Sequence, residues 1–243
     1  MGVRVVLTTA QGSFSGLEQL LRDRGFEVTA RPLLAFREPA DWSPVDALLR
    51  GWDNVPVVAL TSPRAAYALM DRARRLDVPL APGPALWAGG PATKAALGDT
   101  LGSVRTAGES GMAGGSALGR AMIEAGVSGH IVFACGEPHL DDFPRILRAS
   151  GVAVDEVTCY RSVLATSETA SEAIRGAQVV VVGSPRVAAL LAGVRPSGPT
   201  VHLLAVGPTT GDAARESGWA PSAVADEPTT PCVADAVQAA IDE

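Results

Sequence analysis

Short, nearly continuous apolar runs recur along the chain, each followed by a turn of small residues and then by a segment with apolar positions at helical spacing. Val3–Leu7 is the first such run, and Leu17–Arg24 the first helical segment, with Gly25 placed to stop it. Phe26–Thr29, Val55–Leu60, Ala85–Ala88, Ile131–Ala134, Val152–Val157, Val179–Val182 and Leu203–Val206 read as further strands. Helices are predicted over Thr61–Asp71, Ala92–Leu97 and Ala117–Ala125. A strand exposed on one face would alternate apolar with polar residues, and these runs do not. Apolar strands between helices imply a parallel sheet covered on both faces, hence an α/β fold.

The pattern repeats once. LRDRG at Leu21–Gly25 returns as LRASG at Leu147–Gly151, TSPRAAYAL from Thr61 as GSPRVAALL from Gly183, and GPATKAAL from Gly90 as GPTTGDAA from Gly207. Three landmarks in one order, about half a chain apart, imply two domains of the same fold; the interval is far too long for a solenoid. Two extended stretches, Val28–Glu38 and Val154–Leu164, exceed a typical strand and are candidates to pair and bridge the domains. If they pair, the first strand–helix–strand unit belongs with the C-terminal domain and the middle of the chain is inserted. A tandem pair cut near Gly126 is the competing layout, and periodicity does not choose between them.

Composition narrows the function. The chain has 243 residues, 47% hydrophobic and 19% charged, which suits packed domains. No apolar run is long enough to span a membrane, and the opening MGVRVVLTTAQG reads as a strand and not a signal peptide, so the expected location is the cytoplasm. The net charge of −6, without a basic block, argues against nucleic-acid binding. Cys135, Cys159 and Cys232 are an odd number without close pairing, and His130, His139 and His202 are scattered, so neither a disulfide framework nor a metal is expected. An anionic ligand would have to be held by local donors in a cleft between the domains, against the overall charge.

Such donors are available. Thr61-Ser62-Pro63-Arg64 and Gly183-Ser184-Pro185-Arg186 each follow an apolar strand and open a helix, with serine suited to the N-cap and proline to the first helical position. Free backbone N–H groups and a hydroxyl then face outward, an anion site in waiting. An arginine in a first turn opposes the helix dipole, so its duplication points to a negative partner for Arg64 and Arg186. Gly90-Pro91-Ala92-Thr93 and Gly207-Pro208-Thr209-Thr210 repeat the arrangement, their threonines either binding carboxylates or capping their own helices. All four lie at carboxyl ends of strands, where open α/β sheets bind ligands.

Other residues attract less chemistry. Cys135-Gly136-Glu137-Pro138-His139 follows a strand, but Cys135 has no base assigned by spacing and reads as a small buried residue. Glu137, Asp141 and Asp142 read as a solvated helix start and not as an acid–base pair. Tyr160, one of two tyrosines, lies in a bridging stretch and is a candidate proton donor; Tyr67 reads as a structural helix residue. Gly111, Gly114 and Gly115 form a glycine-rich loop before a helix, and no dinucleotide fingerprint follows the first strand.

Taken together, the T-S-P helix start, the G-P-x-T turn, the Tyr160-Arg161 pair, the second S-P and G-P-T-T set, AVGPTTGDAARESG from Ala205 and ADEPT at Ala225–Thr229 resemble the uroporphyrinogen-III synthases over nearly the whole chain. The resemblance implies two flavodoxin-like parallel-sheet domains joined by a two-stranded linker, one discontinuous (1–35 with 163–243) and one inserted (36–162). It implies a lyase that closes the linear tetrapyrrole hydroxymethylbilane to uroporphyrinogen III with the last ring inverted; with the cleft supplied by one chain, a monomer is expected. No cofactor is implied. Tyr160 would be the catalytic residue, a free phenol being protonated near neutral pH. Thr61, Ser62, Arg64, Gly90, Thr93, Cys135, Gly136, Ser184, Arg186, Gly207, Thr209 and Thr210 would bind substrate. Two loops depart from the family pattern, Leu7–Ala10 and Cys135–Asp142, each lacking an arginine the family often carries. Such departures would suit the alternative, a non-catalytic two-domain binder of a small anion.

Overall fold

The computed structural model describes residues 2–81, 83–98, 103–107, 114–196 and 201–242. The chain divides into two compact units: a terminal unit, Met1–Phe36 with Val163–Glu243, and a central unit, Arg37–Ser162.

The terminal unit is built on a five-stranded sheet of β1 (Arg4–Leu7), β2 (Glu27–Ala30), β9 (Val179–Val182), β10 (His202–Ala205) and β11 (Ala223–Val224), in the spatial order β11-β10-β9-β1-β2. Its strand pairings are all parallel. The central strand shows why the sequence demands two covering layers. In β9 successive valines face opposite ways, and all four are buried. Val180 and Val182 join a cluster with Ala170 and Ile174, Val187 and Leu191, and Ala214. These come from or adjoin α7 (Ser167–Ala173), α8 (Pro185–Ala192) and α9 (Pro208–Glu216). Val179 and Val181 join Leu17 and Leu21 of α1 (Leu17–Asp23) and Val233 and Val237 of α10 (Thr230–Asp242). Burial of each valine contributes about 1.5–3 kcal/mol, so a polar residue at either parity would open one layer.

The central unit repeats this plan. Its sheet runs β3-β8-β7-β4-β5-β6, with β3 (Leu34–Arg37), β4 (Val57–Leu60), β5 (Ala85–Ala88), β6 (Val104–Thr106), β7 (His130–Glu137) and β8 (Ala153–Leu164); β3 and the last residues of β8 extend past the unit's bounds at Arg37 and Ser162. Val58 and Leu60 face α2 (Ser43–Arg50), α3 (Pro63–Arg75) and α4 (Pro91–Leu97). Ala59, Ile131 and Phe133 face α5 (Gly115–Glu124) and α6 (Asp142–Ala149).

Renumbered in chain order within the terminal unit, its strands lie 2-1-3-4-5, the order of flavodoxin-like sheets. In the central unit β7 and β8 take the places of β1 and β2, while β4, β5 and β6 take those of β9, β10 and β11. One unit is therefore a circular permutation of the other. LRDRG closes α1 in the terminal unit, whereas TSPR and GPAT open helices of the central one; the second set of landmarks is exchanged in the same way.

Several boundaries differ from the sequence reading. Val28–Glu38 is not one extended segment: β2 ends at Ala30 and β3 begins at Leu34 in the other sheet. Pro32 between them has no N–H for a ladder. The helix expected over Thr61–Asp71 begins at Pro63, with Ser62 as its cap, and continues to Arg75. Cys135 and Gly136 belong to β7, which extends beyond its apolar run to Glu137. The expected glycine-rich loop falls partly outside the described residues, Gly111 included, and α5 starts at Gly115.

Candidate functional site

At the carboxyl edge of the central sheet, β4 is the strand where the chain changes direction: β5 and β6 continue on one side, β7 and β8 on the other. Crevices at such points are where doubly wound sheets hold ligands. Leaving β4, Ser62 takes an extended conformation (φ −135°, ψ 129°) and caps α3, its Oγ accepting the Arg64 N–H at 3.2 Å. Proline at the next position, with no N–H to leave unpaired, fixes the helix start. The adjacent β5 turn is tied back by the Gly89 N–H, which donates to the Leu60 carbonyl at 2.8 Å.

Tyr160 reaches this turn from β8. Its hydroxyl lies 3.2 Å from Ser62 Oγ. A register shift makes this approach work. Cys135 pairs with Thr158, but Gly136 pairs with Tyr160, so Cys159 is the extra residue of a bulge. Bulges re-aim side chains, and here the phenol ring settles over Gly136. A Cβ on Gly136 would lie 2.6 Å from Tyr160 Oη and 2.7 Å from Cε1, and nearer still to Cζ. Only glycine leaves that space.

The other sequence candidates fall into groups. Arg64 and Arg186 are exposed in the first turns of α3 and α8, and Thr61 and Ser184 are half-buried beside them. Ser184 caps α8 in an extended conformation without a side-chain cap bond, unlike Ser62. Gly90 and Gly207 precede α4 and α9, and Thr209 is exposed. Thr93 and Thr210 depart from expectation: they are 2% and 6% exposed, occupying the inward side of their first turns. The helical period puts the third residue of each helix toward the sheet, so their hydroxyls are turned away from the solvent.

Cys135 is likewise buried, its Sγ 3.7 Å from the Val157 carbonyl. Desolvation, with the nearby negative charges of Glu156 and Glu137, pushes its thiol up to about 12, so it is not a thiolate nucleophile at neutral pH. The acidic residues near β7 have partners. Glu156 is paired with His139 (2.7 Å) and Arg148 (2.6 Å), and Asp142 accepts a hydrogen bond from Ser116 Oγ at 2.6 Å while opening α6. The Glu137–Pro138 peptide is cis. Among the described residues no cluster of histidine, cysteine and carboxylate residues could hold a metal, and no helix is long and apolar enough to cross a membrane.

The equivalent edge of the terminal unit is built differently. Thr8 is buried and its Oγ1 donates to the Val181 carbonyl at 2.7 Å, which fastens the end of β1 to β9. Thr9 lies against Gly183, where an added Cβ would come within 2.9 Å of Thr9 Cγ2. Beyond it Ala10–Phe14, with Leu17, Glu18, Ala30 and Pro32, line a hollow of about 360 Å³. Its rim carries the neutral polar groups of Gln11 and Ser13, and Glu18 is engaged with Arg22 at 2.8 Å. The sequence singles out the start of this loop, Leu7–Ala10, for the arginine it lacks; Gln11–Phe14, which continue the lining, attract no functional reading.

A family model described as Uroporphyrinogen-III synthase HemD matches residues 15–234. Among solved structures, the chain is 21% identical to a mutant uroporphyrinogen III synthase from the extreme thermophile Thermus thermophilus, with 99% of each chain covered and a TM-score of 0.70. The wild-type synthase of that bacterium, in another crystal form, is also 21% identical, with 99% of this chain and 98% of that one covered and a TM-score of 0.54. Uroporphyrinogen-III synthetase from Helicobacter pylori is 13% identical, with 98% of this chain and 99% of that one covered and a TM-score of 0.62. At such identities the likeness establishes a shared fold. No curated protein sequence matches.

Proposed function

The chain belongs to the uroporphyrinogen-III synthase family, and from that premise we propose that it is a lyase that closes hydroxymethylbilane to uroporphyrinogen III, with Tyr160 as the proton donor. The observation that carries the proposal is the Tyr160 hydroxyl, held 3.2 Å from Ser62 Oγ at the switch-point edge of the central sheet.

The substrate must lose a hydroxyl group before it can close. The Tyr160 phenol donates its proton to that hydroxyl as the C–O bond breaks, so water leaves and an azafulvene cation remains. The terminal pyrrole attacks through its substituted α-carbon and forms a spiro intermediate. This fragments and recloses with the last ring reversed, and the proton then lost from carbon returns to the Tyr160 phenolate, restoring the neutral product and the donor. Uncatalysed closure gives isomer I, so the protein's largest task is to hold the chain in one geometry.

The substrate's many carboxylates provide the handles. First-turn N–H groups of α8 and α9 are available to anions, with Ser184 and Thr209 as neutral hydroxyl donors and Arg64 and Arg186 as local positive charge. Thr61, Gly90 and Gly207 shape the turns through which the backbone donates. Thr93 and Thr210 act through packing of the turns and not through direct hydroxyl contact. Local donors of this kind let a chain of net charge −6 bind an anion.

A coupled assay tests the reading: a deaminase supplies hydroxymethylbilane in place, and the product isomers are separated by chromatography. Purified chain should divert product from isomer I to isomer III. Isomer I alone, with the protein folded, would contradict the proposal.

A further inference from the structure

We propose that Ser62 and Gly136 are positioning residues that aim and seat the Tyr160 phenol, an inference that rests on Tyr160 as the proton donor of the synthase reaction. Ser62 otherwise looks like one of several hydroxyls available to substrate carboxylates, and its geometry assigns it a different task.

A serine hydroxyl has one proton and two lone pairs. One lone pair of Ser62 receives the Arg64 N–H, which fixes the oxygen at the helix cap. Its second contact is Tyr160 Oη, 3.2 Å away, a pair in which either oxygen can donate; in the proposed arrangement Ser62 gives its proton to the phenol. A phenol that accepts this bond carries its own proton on the side away from Ser62. Hydrogen bonds linked in this way polarise one another, so the chain from amide to serine to phenol strengthens the phenol as a donor. Ser184, at the matching place in the terminal unit, makes no side-chain cap bond, so the repeat alone does not account for the arrangement.

Gly136 supplies the seat. It is buried, pairs with Tyr160 across the bulge, and lies so close beneath the ring that a Cβ would reach within 2.6 Å of Oη. The obstruction would be the ring itself, at a position that pairs with β8 on one side, the β4 ladder ending at Ala134. An alanine therefore displaces the phenol and separates it from Ser62.

Two readouts test this. The chain has two tyrosines, and Tyr67 is exposed, so a Tyr67→Phe background isolates Tyr160 spectroscopically. The Raman tyrosine doublet reports whether a phenol accepts or donates hydrogen bonds. Ser62→Ala and Gly136→Ala should each shift its intensity ratio toward that of a phenol without an accepted bond, and Ser62→Thr should preserve it. A ratio unmoved by Ser62→Ala overturns the proposal whether or not the chain makes isomer III. In the coupled assay, Ser62→Ala should lower kcat roughly 5- to 10-fold with KM unchanged. In a Tyr160→Phe background the same substitution should cost nothing further. An equal loss in both backgrounds, or a loss confined to KM, makes Ser62 a substrate contact and overturns the positioning role. Failure of the synthase reading looks different: the unsubstituted chain yields only isomer I, while the Raman comparison still decides the seat.

Discussion

At the residue scale, burial separates chemistry from scaffolding. Cys135 and Cys159 sit on neighbouring strands, and desolvation pushes both thiols up to about 12. A raised thiol pKa keeps the sulfur protonated and unreactive at neutral pH. Of the three cysteines, only the half-buried Cys232 is placed to react. Titration with a thiol reagent at pH 7 should modify at most one cysteine in the folded chain and all three after denaturation. Rapid modification of a second thiol in the native state would contradict this assignment. Cys135 was legible in the sequence as a small buried residue because it follows an apolar run. The bond between Ser62 and Tyr160 was not, since 98 positions separate them and only the β7–β8 bulge brings them together.

At the scale of elements, the joint between α2 and α3 illustrates what patterning misses. The Arg72 guanidinium forks onto Asp46, Nε to Oδ1 at 2.7 Å and Nη2 to Oδ2 at 2.8 Å, and also lies 4.8 Å over the Trp42 ring. The hydrogen bond from Arg72 is the main cause holding the Asp46 carboxyl below its ordinary 3.8. A carboxyl depressed in the folded state stabilises above its unfolded pKa, and that contribution fades as pH falls through the folded value. Asp46→Asn should therefore lower the thermal midpoint at pH 7, and its gap from the parent chain should close as pH drops below 3.8. A gap constant across that range would contradict the ion-pair account. Wholly apolar strands such as β9 announced themselves, whereas α2 and α7, and the short edge strands β6 and β11, did not. Short elements show too few periods to be read, and edge strands owe their form to a neighbour already in place.

At the scale of the whole chain, the duplicated landmarks revealed two copies of one α/β plan, and the sheets show what repetition alone left open. Periodicity records which segments are alike, but not which strands pair. The permuted order follows because the five strands of the central sheet that match the terminal one begin at β4, between its later partners β5 and β7. The two copies have also diverged in chemistry. The central edge carries a phenol on a glycine seat, while the terminal edge carries a hollow of mixed lining, with Gln11, Ser13 and Glu18 among apolar residues. Both places interrupt the fold's regularity, one by a bulge and one by a loop.

The central claim is that the Tyr160 phenol assists loss of the substrate hydroxyl while the surrounding donors enforce ring inversion. Its most direct test compares the chain with Tyr160→Phe at equal concentration in the coupled reaction, following the rate and isomer of the product. The account predicts formation of isomer III about 100-fold slower in the variant, with the inverted isomer still made. An unchanged rate in Tyr160→Phe would contradict it.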